Sequence, residues 1–92
     1  MSLSVCVLGS GSTGNCTWVA SAETAVLIDA GLSCKETARR VEEGETRTMA
    51  AVKAVLVTHE HDDHVSGLGP LYRKYQMPLY ATAGTIDALE RH

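Results

Sequence analysis

Short runs of apolar and β-branched residues recur along the chain and predict five strands. The first three runs are separated by short polar or glycine-rich segments, which is typical of an antiparallel meander. The first run is interpreted as a buried strand because nearly all of its residues are apolar. The fourth run predicts a second central strand. The predicted strands cover residues 3–8, 16–22, 25–29, 52–58 and 78–81.

Capping signals and helical spacing predict three helices. Ser33, followed three residues later by Glu36, forms a capping box that predicts a helix over residues 35–43. Leucine and tyrosine residues recur at helical spacing over residues 66–75, and a third helix is predicted for residues 85–91. Strands come first and then alternate with helices, without a repeat or linker. This order predicts one α/β (α+β layered) domain.

The composition is that of a globular chain, with 45% hydrophobic and 21% charged residues among 92. No apolar run reaches the about 18 residues that span a membrane, and residues 1–4 lack the features of a signal peptide. The three cysteines form no CxxC pair, which favours reduced thiols in a cytoplasmic protein. The formal net charge of -3 argues against nucleic-acid binding by bulk charge.

Gly9, Gly11 and Gly14 match the spacing of a dinucleotide-binding fingerprint, and Asp29 ends a later predicted strand. That fingerprint needs a helix to begin at the loop, so that the helix N-terminus can hold a pyrophosphate. Only residues 15–24 lie between the last glycine of the loop and the strand that ends at Asp29. A parallel crossover needs about a dozen residues or more. We therefore favour a tight glycine loop between antiparallel strands, whose free N–H groups could still meet an anion.

Six consecutive polar residues, 59–64, follow the fourth predicted strand and include three histidines and two aspartates. They do not form the helical zinc-protease signature, which would need histidine in place of Asp63. His59 and His61 are two residues apart, so they lie on one side of an extended chain and can share a metal ion. Asp63 and His64 lie on the following turn and can face a second ion. These ligand types suit zinc, with manganese or iron as alternatives.

The pattern His-x-His-x-Asp-His after an apolar strand resembles the metal-binding motif of the metallo-β-lactamase fold. Asp29 resembles the first motif of that superfamily, an aspartate that helps to position the histidine motif. Residues 9–16, 29–33 and 57–61 are together similar to the YycJ-like branch, whose members are bacterial cytoplasmic metallohydrolases regarded as exonucleases or phosphodiesterases. The resemblance implies a metallo-β-lactamase-like αββα sandwich.

Proteins of this kind are more than twice as long. The resemblance therefore implies that residues 1–92 are the amino-terminal part, about the first half, of a single truncated domain. It also implies that a further histidine, a metal-bridging aspartate and a final histidine come from the second half. His92 is interpreted as a surface residue or a cut point rather than the missing ligand. We expect the 92-residue chain alone to be inactive and to leave one sheet face uncovered.

The resemblance implies a hydrolase in which two divalent metal ions, Zn²⁺ or alternatively Mn²⁺ or Fe²⁺, activate a water molecule. Asp63 would be both a metal ligand and the group that orients or deprotonates this water. Asp29 would accept the free ring N–H of a ligand histidine. Ser10, Ser12 and Asn15 could offer donors to a substrate phosphate. The favoured substrate is nucleic acid or another phosphodiester, and a thioesterase, a lactonase or a non-catalytic half-domain stay open as alternatives.

Overall fold

The structure, a computed structural model, describes residues 3–22 and 24–90. It contains a mixed sheet of five strands with helices packed against it. His92 and the predictions for residues 1, 2 and 91 lie outside the described residues. The strands are β1 (Leu3–Gly9), β2 (Cys16–Ser21), β3 (Thr24–Ile28), β4 (Val52–Val57) and β5 (Leu79–Ala81). The helices are α1 (Cys34–Glu42), α2 (Asp62–Val65), α3 (Leu68–Tyr75) and α4 (Ala83–Glu90), and a 3-10 turn covers Met49–Ala51.

The sheet has the strand order β1-β2-β3-β4-β5. β1, β2 and β3 pair antiparallel, which confirms the predicted meander, whereas β4 pairs parallel with both β3 and β5. Parallel neighbours need a crossover. α1 lies in the connection from β3 to β4, and α2 and α3 lie in the connection from β4 to β5. The carboxyl ends of β3 and β4 therefore meet at one edge of the sheet, and the predicted α/β layering is confirmed.

The hydrophobic core lies between one face of the sheet and the helices. Leu27 on β3 and Val55 on β4 have no exposed surface, and Trp18 on β2 is 3% exposed. Val41 from α1 and Leu71 from α3 belong to the same buried cluster. Burying one such side chain contributes about 1.5–3 kcal/mol. This cluster fixes α1 and α3 against the sheet and thereby fixes the loops that flank them.

The opposite face of the sheet is largely apolar and partly exposed. The pairing register aligns five side chains in one row across all the strands: Val7, Thr17, Ile28, Leu56 and Tyr80. Val7 is 61% exposed and Tyr80 is 57% exposed. The expectation that one sheet face is left uncovered agrees with this row.

β1 is not the buried strand that its apolar run predicted. Leu3, Val5 and Val7 are between 61% and 69% exposed, whereas Leu8 is buried. β1 is an edge strand, and its side chains alternate between the two faces of the sheet. A strand that is apolar on both faces is ordinarily covered on both. Within residues 3–22 and 24–90, only the face toward the helices has a cover.

The helix predicted over residues 66–75 begins at Leu68, as α3, and the short helix α2 precedes it over residues that were predicted to form a turn. α2 and α3 are separated at Gly67, whose backbone N–H donates a hydrogen bond of 2.8 Å to the Ala30 carbonyl. A Cβ atom at Gly67 would lie 1.8 Å from the Leu32 carbonyl oxygen. The chain passes so close to residues 30–32 that the backbone bonds across to that loop instead of continuing one helix.

The other two helices agree more closely with their sequence signals. Ser33 Oγ accepts a hydrogen bond of 3.1 Å from the backbone N–H of Glu36, so the predicted N-cap of α1 is confirmed. α4 begins two residues earlier than predicted, next to Thr82, whose Oγ1 accepts from the backbone N–H of Thr85. In the part of the chain that the structure describes, no helix has the length and apolar character that a membrane span requires.

The buried thiol of Cys16 generates a first prediction. Cys16 is 1% exposed, and burial, with a smaller effect of the nearby Asp29 charge, raises the pKa of its thiol to about 12. Because the thiolate is the reactive form, we expect iodoacetamide to alkylate Cys16 far more slowly than the half-buried Cys6 and Cys34. Timed alkylation followed by peptide mass spectrometry measures the three rates, and in urea they should become similar. Equal rates in the native protein would contradict the prediction.

Candidate metal centre

Three loops meet at the edge of the sheet where β1, β3 and β4 end. The backbone N–H of Asn15 donates to the carbonyl of Asp63 at 2.7 Å, and the N–H of Gly31 donates to the carbonyl of Asn15 at 2.9 Å. The N–H of Ala30 donates to the carbonyl of His64 at 2.8 Å. These bonds join the glycine loop, the segment after β3 and the histidine motif into one unit. The polar motif is therefore held from two sides and is not a free surface loop.

The glycine loop connects two antiparallel strands, as the sequence favoured. β2 begins at Cys16 and pairs antiparallel with β1, so no helix begins at the loop and no parallel crossover follows it. This geometry excludes the dinucleotide-binding interpretation, since the pyrophosphate needs a helix N-terminus. The loop instead contacts the histidine motif, because Asn15 donates hydrogen bonds to Asp63.

Asp29 lies at the centre of the unit and is 5% exposed. Its Oδ1 atom accepts from the backbone N–H of Thr58 at 2.7 Å, and its Oδ2 atom lies 2.7 Å from both Thr58 Oγ1 and His64 Nδ1. Asp29 has a φ of +67°, in the left-handed region that aspartate tolerates better than most residues. One carboxylate thus links the end of β3 to the end of β4 and to α2.

The hydrogen bond to Asp29 orients the ring of His64. The ionised carboxylate can only accept, so His64 Nδ1 donates its proton and Nε2 keeps a free lone pair. His64 Nε2 lies 3.7 Å from Asp63 Oδ2. Two ligands of one tetrahedral zinc ion, each bound at about 2.0–2.2 Å, lie about 3.3–3.5 Å apart. The spacing of these two atoms is thus close to that of ligands that share one ion.

The rings of His59 and His61 lie near this pair. The ring centroids of His59 and His61 are 6.0 Å apart with an interplanar angle of 30°, and those of His59 and His64 are 4.8 Å apart. His59 Nδ1 is 3.0 Å from Thr58 Oγ1. The structure thus gathers His59, His61, Asp63 and His64 at one place.

The donor atoms of these four side chains are imidazole nitrogens and carboxylate oxygens, which zinc accepts. Among the described residues, no group of three or more His, Cys, Asp or Glu side chains is arranged to hold a metal ion. The chemistry of the donors fits zinc, and Asp63 Oδ2 and His64 Nε2 are spaced like two ligands of one ion. That each pair binds an ion stays a prediction.

Asn15 makes side-chain hydrogen bonds within the chain, and its predicted contact with a substrate phosphate stays a prediction. Its Nδ2 group donates to the Gly11 carbonyl and to both the carbonyl oxygen and Oδ2 of Asp63, at 2.8–3.1 Å. Its Oδ1 atom accepts from the N–H of Gly11 at 3.1 Å. The amide is thus engaged within the chain and holds the Asp63 carboxylate. Ser10 and Ser12 are exposed in the same loop, and their predicted contact with a phosphate stays a prediction.

Two further residues, which the sequence did not single out, contact the segments that carry the candidate metal ligands. Thr58 contacts Asp29 twice, and Ser66 Oγ donates to the Gly31 carbonyl at 2.7 Å. Thr58 directly precedes the histidine motif, which is the one signal that could have indicated it. Ser66 has no such signal, because its partner is 35 residues earlier.

The amino-acid sequence matches the family model of the metallo-beta-lactamase superfamily over residues 9–92, and the chain belongs to this superfamily. Exodeoxyribonuclease YycJ from Bacillus anthracis is 48% identical over 90 residues, which are 98% of this chain and 34% of that protein. Exodeoxyribonuclease WalJ from Streptococcus pneumoniae serotype 2 is 43% identical over 84 residues, which are 91% of this chain and 31% of that protein. The chain spans about a third of the length of these curated relatives.

Solved structures share the fold. A diphosphatase from the PhnP family superposes with a TM-score of 0.70 at 22% identity, over 97% of this chain and 45% of that one. The metallo-beta-lactamase FIM-1 from Pseudomonas aeruginosa, in its mono-zinc form, superposes with a TM-score of 0.65 at 21% identity, over 85% of this chain and 34% of that one. These likenesses confirm the fold class. Members of the superfamily generally bind divalent metals such as zinc.

The contacts of Asp29 generate a second prediction. In the full-length protein we expect Asp29→Asn to lower zinc affinity by about 10–100-fold. Its single amide oxygen can replace Oδ1 or Oδ2 but not both, so an NH2 group faces either the Thr58 N–H or the Thr58 hydroxyl and His64 Nδ1. Asparagine keeps the size of the side chain and tolerates a positive φ. Competition with a chelator measures the affinity.

The matched control is Asp62→Asn, which removes an exposed carboxylate in the same motif. This variant should keep the zinc affinity of the wild type. Wild-type affinity in Asp29→Asn would show that the Asp29 carboxylate does not support the metal ligands.

Proposed function

We propose that this chain forms the amino-terminal part of a metal-dependent nuclease that hydrolyses phosphodiester bonds of nucleic acid in the cytoplasm. The observation that carries the proposal is the meeting of four potential ligands, His59, His61, Asp63 and His64, around the buried Asp29 carboxylate. The names of the relatives support the substrate class, because YycJ and WalJ are both exodeoxyribonucleases. These names favour a phosphodiester over the thioester and lactone substrates that the sequence left open.

The ligands divide into two pairs in this proposal. His59 and His61 bind one divalent ion, and Asp63 and His64 bind the other. Such ions would lower the pKa of a water molecule and offset negative charge on the substrate oxygens. A further histidine, a bridging aspartate and a final histidine come from the remainder of the domain. Zinc is the favoured ion, and manganese or iron are the alternatives.

In the proposed mechanism, Asp63 is both a metal ligand and the group that orients or deprotonates the attacking water. Its Oδ2 atom lies 3.7 Å from His64 Nε2, where both can contact one ion, and accepts from Asn15 Nδ2 at 3.1 Å. The Asn15 bond limits rotation of the carboxylate, so its other oxygen keeps a fixed position. From there Asp63 orients the attacking water or accepts its proton. His64 keeps its orientation through Asp29, so neither side chain has to rearrange when substrate binds.

The third prediction tests the ligands. In the full-length protein, His61→Ala should reduce the bound zinc and abolish exonuclease activity on linear duplex DNA, since it removes one of the two ligands of the first ion. Elemental analysis measures the metal, and release of nucleotides measures the activity. Asp62→Ala is the matched control, because Asp62 is the adjacent, exposed residue and is not a proposed ligand. Unchanged metal content in His61→Ala would count against the ligand assignment.

The fourth prediction concerns the 92-residue chain by itself. It should show little or no turnover of bis(p-nitrophenyl) phosphate or linear DNA, even with zinc or manganese added. A catalytic zinc ion usually has about three protein ligands, and no group of three or more such side chains among the described residues is arranged to hold an ion. The full-length protein assayed in parallel is the positive control. Turnover by the short chain that disappears in its His59→Ala variant would show that the site is complete without further residues.

A further inference from the structure

We propose that Thr58 is a positioning residue that fixes the tautomer of His59 through a hydroxyl relay ending on Asp29. The inference rests on the proposed function in so far as His59 binds a metal ion. Thr58 itself touches neither metal nor substrate in this proposal. It acts through the histidine that follows it in the chain.

The Thr58 hydroxyl has three possible hydrogen-bond partners. Its Oγ1 atom lies 2.7 Å from Asp29 Oδ2, 3.0 Å from His59 Nδ1 and 3.5 Å from His64 Nδ1. A hydroxyl has one proton to donate and two lone pairs that accept. An ionised carboxylate can only accept, so the Thr58 hydroxyl donates its proton to the hydrogen bond with Asp29. The hydroxyl is then an acceptor toward every other partner.

This assignment determines the neutral ring of His59. Because Thr58 Oγ1 has only lone pairs left, its contact with His59 is a hydrogen bond only if Nδ1 carries the ring proton. Nε2 of His59 then holds the free lone pair and is the ring atom that can bind a metal ion. His64 does not compete for the hydroxyl, because its own Nδ1 proton goes to Asp29 at 2.7 Å. One carboxylate therefore determines which ring nitrogen is protonated in two histidines, in His64 directly and in His59 through Thr58.

The backbone keeps the relay in place. The N–H of Thr58 donates to Asp29 Oδ1 at 2.7 Å, so the same residue is bound to both oxygens of the carboxylate. The branched side chain of threonine has few accessible χ1 rotamers, which further restricts the position of Oγ1. His61 provides an internal contrast. Among the hydrogen bonds of the described residues, none involves its ring, so the relay distinguishes His59 from His61.

The experiment uses metal-free full-length protein with ¹⁵N-labelled histidine. Long-range ¹H–¹⁵N correlation spectra at about pH 8, above the usual titration of imidazole, report which nitrogen of each neutral ring is protonated. We expect His59 of the wild type to carry its proton on Nδ1. In Thr58→Val, which keeps the branched shape without the hydroxyl, the Nε2–H form should become substantially populated. Thr58→Ser should keep the wild-type pattern, and the His61 signals should be the same in all three proteins.

Zinc affinity gives a second readout. Chelator competition should show about tenfold weaker binding in Thr58→Val and near wild-type binding in Thr58→Ser. A wild-type His59 tautomer in a folded Thr58→Val protein would overturn the proposal, and so would loss of the tautomer in Thr58→Ser. If Thr58→Val does not fold, the wild type decides by itself, because an Nε2–H tautomer of His59 there contradicts the relay. An inactive full-length wild type with the expected tautomers would refute the nuclease proposal and leave the relay standing.

Discussion

The rest of the centre depends on the hydrogen bonds to the buried carboxylate of Asp29. These bonds come from the backbone of Thr58, its hydroxyl and the ring of His64, and they leave the carboxylate only 5% exposed. A buried charge is strongly destabilising unless it is hydrogen-bonded, and the loss of one buried partner costs about 1–3 kcal/mol. The end of β4 and the start of α2 are therefore held in position by the same group that orients the histidines. Stability and ligand geometry cannot be changed independently at Asp29.

Parallel pairing of β3 and β4 makes this arrangement possible. Both strands end at the same edge, and Asp29 still donates its N–H to the Leu56 carbonyl at 2.7 Å as its backbone turns into the left-handed region. Gly31 then lets the next loop pass against the histidine motif, since a Cβ there would lie 1.9 Å from the Asp63 carbonyl oxygen. A larger residue would push Asp63 away from Asn15. Close backbone contact thus determines where the carboxylate of Asp63 lies.

Periodicity and capping predicted the five strands and the helices α1, α3 and α4, because these signals are local. The short helix α2 and the break at Gly67 that separates it from α3 were not predicted, since that break depends on contact of Gly67 with a loop more than 30 residues earlier. The exposure of β1 was missed because an apolar run does not show whether both faces of a strand are covered. The motif indicated the cluster of potential ligands. The hydrogen bonds of Asn15 to Asp63 and of Thr58 to Asp29 join residues far apart in the sequence, so no local pattern predicts them.

The described residues contain the side chains that orient the proposed ligands, but they do not contain a complete set of ligands. Asp29, Thr58 and Asn15 lie within the described chain and already make their contacts with the histidine motif. Among the described residues, by contrast, no group of three or more His, Cys, Asp or Glu side chains is arranged to hold a metal ion. The ring of His64 is thus oriented by Asp29 in the folded chain before a metal ion binds, and in our proposal the ring of His59 is oriented through Thr58. In the proposed complete site, further ligands would approach nitrogen lone pairs that are already positioned, so the entropic cost of ordering these side chains would not fall on metal binding.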